Sequence, residues 1–158
     1  MPQMKSPNEE LLNALENMKT RRKVSLEEVL AWEKAHEWLR DTIKKDFLRD
    51  AISQGLLEVV EDKGEQGEDH FYGNYTAYSL KLKAPNGTSI YVRPLGKLTA
   101  ESKPRVGVWT AEGGFNLWWN GERDWTIEPL DSVESDESKS IPLTRELFLQ
   151  KLVQVLGA

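Results

Sequence analysis

The chain has 158 residues, of which 39% are hydrophobic and 30% charged, with a formal net charge of −5 and no cysteine. That length suits one domain, large enough to bury about two-thirds of its unfolded surface without covalent staples. The lack of cysteine excludes disulfides, zinc–thiolate and iron–sulfur sites and thiol nucleophiles. The acidic balance argues against general nucleic-acid binding, which rests on a basic surface. No apolar run approaches the ~20 residues of a membrane span, and residues 1–6 lack the apolar core of a secretory signal, so a cytoplasmic protein without a membrane role is expected.

The first predicted helix begins at Ser6-Pro7-Asn8-Glu9, which offers a hydroxyl cap, proline at the first helical position and glutamate at the third. Leu11, Leu12, Leu15 and Met18 follow at helical spacing. This stripe is short, so the helix needs a surface to dock on. The basic run Lys19-Thr20-Arg21-Arg22-Lys23 suits its C-terminal dipole and a linker, and residues 1–24 are read as an N-terminal helix with a basic linker. A single α+β domain is expected over residues 25–158.

A second helix is predicted over residues 25–54, with Ser25-Leu26-Glu27-Glu28 as a capping box and Gly55 as a left-handed stop. Val29, Trp32, His36, Leu39, Ile43, Phe47 and Ala51 trace its apolar face. At ~45 Å it exceeds an ordinary globular helix, and a break is compatible with the pattern although no proline forces one. His36 is read as a structural histidine beside Trp32.

From Leu57 the period becomes two, and residues 57–61 read as a strand. Residues 62–69, DKGEQGED, read as a flexible acidic loop, and residues 71–84 as strand-rich. Ala84-Pro85-Asn86-Gly87-Thr88 is a turn: Pro85 suits a type I corner and Gly87 the left-handed position of a bulge. A three-residue loop there sets Leu82 against Ile90 and Leu80 against Val92, keeping all four on one face, so that register is preferred.

Residues 105–110 and 115–119 are expected to form a hairpin through the four-residue loop Ala111-Glu112-Gly113-Gly114, with Val108 opposite Leu117, Val106 opposite Trp119 and Gly107 opposite Trp118. A further strand over residues 123–128 is expected after the loop Asn120-Gly121-Glu122, pairing Leu117 with Trp125 and Phe115 with Ile127, and placing Trp119 beside Arg123. Residues 131–140 read as an acidic, serine-rich linker. Thr144 then caps a terminal helix with Leu143 and Phe148 as a hydrophobic staple, and Gly157 stops it. The expected fold is α+β: two N-terminal helices, an antiparallel meander of five to six strands, and a C-terminal helix packed on the sheet.

No nucleophile elbow, phosphate loop or dinucleotide fingerprint occurs. The two histidines are His36 and His70. His70 follows Glu68 and Asp69, and a hydrolase-like enzyme built on His70 and these carboxylates is one reading. The spacing imposes no convergent metal geometry, so neither a metal nor a cofactor is expected. The tryptophans are the better lead. Strand alternation sends Trp119 inward with Phe115, Leu117 and Trp125, and sends Trp118 to the opposite face, diagonal to Trp109.

The expected function is therefore a non-catalytic protein-interaction module, with an acidic inhibitor or immunity-type protein as one form. Its candidate surface comprises Trp109, Trp118 and Tyr75 together with the acidic Asp62, Glu65, Glu68 and Asp69, which would steer a basic partner. A small-molecule or carbohydrate binder using the same aromatic face is the alternative. A protein partner is expected, with self-association through the open sheet face as one outcome.

Overall fold

The computed structural model describes residues 6–20, 26–65, 77–96, 98, 103–130 and 136–157. Helix α1 (Pro7–Thr20) and helix α2 (Leu26–Thr42) are followed by a π-helical turn (Ile43–Phe47) and the short helix α3 (Arg49–Ser53). Strands β1 (Glu58–Glu65), β2 (Ala77–Lys83), β3 (Ser89–Leu95), β4 (Arg105–Thr110), β5 (Gly113–Trp119), β6 (Trp125–Ile127) and β7 (Ile141–Pro142) come next, and α4 (Arg145–Leu156) ends the chain. The seven strands form one sheet in sequence order, each antiparallel to its neighbour. The α+β class and the meander expected from the sequence are present. The sheet has one strand more than the upper expectation, because β7 pairs with β6 immediately ahead of α4.

Ser6 caps α1 as its motif implies, its Oγ accepting a hydrogen bond from the Glu9 N–H at 3.2 Å. The helix does not pack its leucines, however: Leu11, Leu12 and Leu15 are 56%, 54% and 48% exposed. The predicted cap Ser25 and most of the basic run lie outside the described residues.

The single helix expected over residues 25–54 is divided. The Leu48 N–H donates to the Ile43 carbonyl at 2.9 Å, a bond that spans five residues instead of four. The extra residue in that turn lets the adjacent Phe47 and Leu48 both reach the core, where they are buried with Ile43. Gly55 ends the segment at φ 76°, as anticipated, and the Leu57 N–H reaches back to the Ala51 carbonyl.

Strand β1 corrects the acidic loop. Asp62 and Glu65 are strand residues, opposite Leu80 and Ala77 of β2, with a bulge between Val59 and Glu61. Backbone pairing along β2 carries the strand past the point where composition alone suggests a loop. The turn at Pro85 has the expected register: Leu80 faces Val92 and Leu82 faces Ile90, with Gly87 at φ 88°.

Two later registers differ from expectation, each by two residues. In the β4–β5 hairpin, Val106 faces Leu117 and Val108 faces Phe115, so the turn is only Ala111-Glu112. Gly113 and Gly114 are strand residues opposite Thr110 and Trp109. A Cβ at Gly114 would lie 2.6 Å from the Trp109 Cβ and 2.7 Å from the Val108 carbonyl oxygen, so glycine there serves close cross-strand packing. Between β5 and β6 the loop is longer than expected: Trp119 pairs with Trp125 and Leu117 with Ile127. The Asn120 side-chain oxygen holds this loop, accepting from the N–H groups of Glu122, Arg123 and Asp124 at 2.8, 3.1 and 3.1 Å. A shift of two preserves side-chain parity, so every residue stays on its expected face.

One face of the sheet carries the core. Leu80, Leu82, Ile90, Val92, Val106, Val108, Phe115, Leu117, Trp119, Trp125 and Ile127 are buried there with Trp32, Leu39, Ile43, Phe47, Phe148 and Leu152 from the helices. Each such aliphatic or aromatic side chain contributes on the order of 1.5–3 kcal/mol by leaving water. Helix α4 is fixed at both ends as predicted. Thr144 accepts from the Leu147 N–H at 3.1 Å, and Gly157 closes it at φ 72°. No helix among the described residues is long and apolar enough to cross a membrane.

Candidate binding surface on the sheet face opposite the core

The buried side chains of α2, the π-helical turn and α4 join a single cluster on one side of the sheet. The registers then specify what occupies the other side. Lys81, Tyr91, Trp109 and Gly114 stand in one cross-strand row, since Lys81 pairs with Tyr91, Tyr91 with Trp109 and Trp109 with Gly114. Arg93, Gly107 and Asn116 form the next row, and Leu95 and Arg105 face each other beyond it.

The first row is a stack. The rings of Tyr91 and Trp109 lie with centroids 5.6 Å apart at 21°, and the Lys81 ammonium sits 5.6 Å from the Tyr91 centroid. All three are partly exposed. Cross-strand aromatic pairs and cation–π contacts of this kind each contribute about 0.5–1 kcal/mol. Gly107 gives Trp109 its space: a Cβ there would fall 3.1 Å from the indole and 2.6 Å from Leu95 Cδ1.

The charge on this face is mixed, with its cations on the central strands. Strands β2 to β5 contain Lys81, Lys83, Arg93 and Arg105 and no aspartate or glutamate. On the same face the edge strand β1 sets Glu58 opposite Lys83 and Glu61 opposite Lys81. At the far side, Arg105 Nε donates to Asn116 Oδ1 at 3.2 Å, Asn116 Nδ2 donates to Glu128 Oε1 at 2.8 Å, and Glu128 Oε2 lies 3.9 Å from the buried Lys151 Nζ of α4.

The aromatic pair expected from the sequence is replaced by another. Trp118 is on the side predicted but only 7% exposed, so it supplies no exposed platform. The shifted register also takes it away from Trp109: Trp109 faces Gly114, and Trp118 lies four residues further along β5, about 13 Å. The neighbour of Trp109 is Tyr91, which sequence reasoning passed over. The signal was available, because the register of the Pro85 turn puts Tyr91 on the face opposite Ile90 and Val92. Of the other candidates, Asp62 and Glu65 are in β1, whereas Glu68, Asp69, His70 and Tyr75 lie outside the described residues.

A second concavity lies between α2 and the β5–β6 loop. It measures about 340 Å³ and is lined by Lys34, Trp38, Trp119, Arg123 and Trp125 among others. Trp119 and Arg123 both line this cleft, but the expected direct pairing is replaced, because Trp119 pairs with Trp125. Trp38 at its rim is 54% exposed.

His36 is 1% exposed and stacked on Trp32, with centroids 5.6 Å apart at 19°. Burial lowers its pKa from 6.5 to about 4, with the Arg40 charge adding to the effect. Because the folded pKa lies below the unfolded one, the neutral ring contributes stability that is fully present above pH 6.5 and is lost as pH falls towards 4. Chemical denaturation should therefore give a stability about 2 kcal/mol lower at pH 5 than at pH 7. His36→Gln should flatten that slope, and an unchanged slope would assign it to other groups.

Among the described residues no three His, Asp or Glu side chains are grouped to hold a metal ion. Compared with family models, curated proteins and solved structures, the chain matches none.

Proposed function

We propose that this protein is a non-catalytic binding module that takes an anionic partner on the sheet face opposite its core. The observation that carries this reading is the gathering of cations on the central strands: four cations and no carboxylate on β2–β5, set around the Tyr91–Trp109 stack, with Glu58 and Glu61 entering the face from the edge strand, in a chain whose net charge is −5. Cations gathered on adjacent strands make a local positive potential, which guides a partner of the opposite sign to them. The acidic-inhibitor form anticipated from the sequence requires the reverse, carboxylates presented to a basic target. Both Asp62 and Glu65 belong to the edge strand β1, where they pair with Leu80 and Ala77.

Immobilised heparin provides a polyanion without base or peptide chemistry. The protein should be retained at low salt, despite its net negative charge, and released as salt screens the contact. The double variant Lys81→Glu, Arg105→Glu should pass through unretained. Equal retention of that variant, or no retention of the native protein, would remove the central-strand cations as the binding surface.

A further inference from the structure

We propose that helix α1 is a self-association element, which pairs antiparallel with α1 of a second copy of this chain through its leucine face.

The apolar side of α1 has no cover within the described chain. Leu11, Leu12 and Leu15 are each about half exposed, and so outward are all the side chains from Pro7 to Asn17. None of them joins the core cluster. The leucines are not scattered singly. Leu11 and Leu15 are one turn apart with Leu12 beside them, while Glu9, Glu10 and Glu16 project from the other side of the helix.

A helix of 14 residues, about 21 Å long, is marginal in water on its own. Short helices in proteins owe most of their stability to packing of an apolar face. The Ser6 cap holds the first turn of α1 but covers none of its leucines. The face that would stabilise this helix is therefore the one left in solvent.

The charge pattern along α1 names the occupant. Its first turn is acidic, with Glu9 and Glu10, and the sequence turns basic at Lys19, with Arg21, Arg22 and Lys23 following. Two copies laid antiparallel set the acidic end of each beside the basic end of the other, and their helix dipoles run in opposite directions. A parallel pair would set like charge beside like. In the antiparallel pair a two-fold axis passes near the middle of the helix, close to Leu15, so leucine meets leucine.

The outward glutamates disfavour the other host of an amphipathic helix, an anionic membrane surface, which calls for Lys and Arg on the polar face. Three leucines on one short helix bury less than the about 800 Å² per partner of a standard interface. The dimer is accordingly weak and reversible, and it dissociates on dilution.

Sedimentation equilibrium from micromolar to submillimolar protein tests this. The average mass should rise from that of one chain towards that of two. Leu11→Glu, Leu15→Glu should raise the dissociation constant about tenfold or more. Because α1 lies outside the core cluster, this variant should keep the native thermal midpoint at low concentration. Lys81→Glu, Arg105→Glu, on the sheet face, should associate as the native protein does.

The chain has no cysteine, so single introduced thiols report orientation. Under mild oxidation Leu15→Cys should cross-link the dimer. Asn8→Cys, two turns earlier on the same side, should not, because antiparallel packing holds the two copies of residue 8 about 20 Å apart.

A single-chain mass at every concentration would overturn the proposal, as would association that survives Leu11→Glu, Leu15→Glu. Association lost in Lys81→Glu, Arg105→Glu instead would move the contact to the sheet face. Cross-linking of Asn8→Cys would overturn the antiparallel arrangement. A chain that stays single but sediments with phosphatidylserine vesicles would give the leucine face to a lipid surface, and the proposal would fall.

Discussion

Trp32→Ala is expected to lower the stability of the protein by about 3–5 kcal/mol, a large part of the 5–15 kcal/mol typical of a domain. Trp32 is fully buried. It joins α2 to the sheet by touching both members of a cross-strand pair, with centroids 6.0 Å from Trp119 and 5.8 Å from Trp125, and its other face carries His36. Truncation removes the apolar contact and leaves a cavity between elements whose relative position is set by many other contacts, so collapse can be only partial. Trp38, on the same helix but 54% exposed, supplies the control. Its alanine variant should change stability by no more than about 0.5 kcal/mol. Urea unfolding midpoints measure both. Trp32→Ala and Trp119→Ala share one cavity, so the double variant should lose less than the sum of the singles. Similar midpoints for Trp32→Ala and Trp38→Ala would show that α2 is not anchored by this ring.

The second large effect is an asymmetry in the buried ion pair. Lys151 and Glu128 are 5% and 7% exposed, and the ammonium lies 3.9 Å from Glu128 Oε2. The other carboxylate oxygen accepts from both the N–H and the Nδ2 of Asn116, at 3.2 and 2.8 Å. Removing one member of a buried pair leaves an uncompensated charge, at a cost of about 3–5 kcal/mol. The two removals are not equivalent here. Glu128→Leu strands the Lys151 ammonium and also takes the acceptor from the Asn116 backbone where the β5–β6 pairing ends. Lys151→Met leaves a carboxylate that still has two donors. Glu128→Leu should therefore reach the full penalty, Lys151→Met about half of it or less, and the double variant should recover much of the loss because no charge remains buried. Denaturation of the three variants checks the order. A larger loss for Lys151→Met than for Glu128→Leu would mean that the Asn116 bonds do not support the carboxylate.

How far the fold could be read from sequence depends on which alternatives parity distinguishes. At Pro85 the competing two-residue turn would have moved leucines opposite polar partners, so the buried face selected the observed register. At Ala111 and at Asn120 the competing registers differ by two residues. Parity is blind to that shift, and the choice fell to loop length. There Gly113 and Gly114 read as turn residues, although Gly114 is glycine because Trp109 lies against it. The division of the long helix had no sequence mark either. It arises where Phe47 and Leu48, adjacent in sequence, are both buried, and such a neighbouring pair also occurs on the stripe of an unbroken amphipathic helix. The candidate site was half legible for the same reason. Trp109 was identified, but its partner depends on register across β3 and β4. With the wrong β4–β5 register, Trp118 seemed its neighbour and Tyr91 did not. The cations of the central strands were hidden by whole-chain arithmetic, because none of the 26 acids counted against 21 basic residues is on β2–β5.

The strict neighbour-to-neighbour order of the meander also bears on how the chain is made. Each hairpin can close as soon as its second strand has emerged, with little loop entropy to overcome. The core face has no such independence. Phe148, fully buried against Phe115 and Phe47, sits on the last helix of the described chain. A growing polypeptide therefore displays a nearly complete sheet with part of its apolar side uncovered until residues 145–156 leave the ribosome. That interval, during which exposed strands and apolar surface coexist, is when this protein is most open to misassembly.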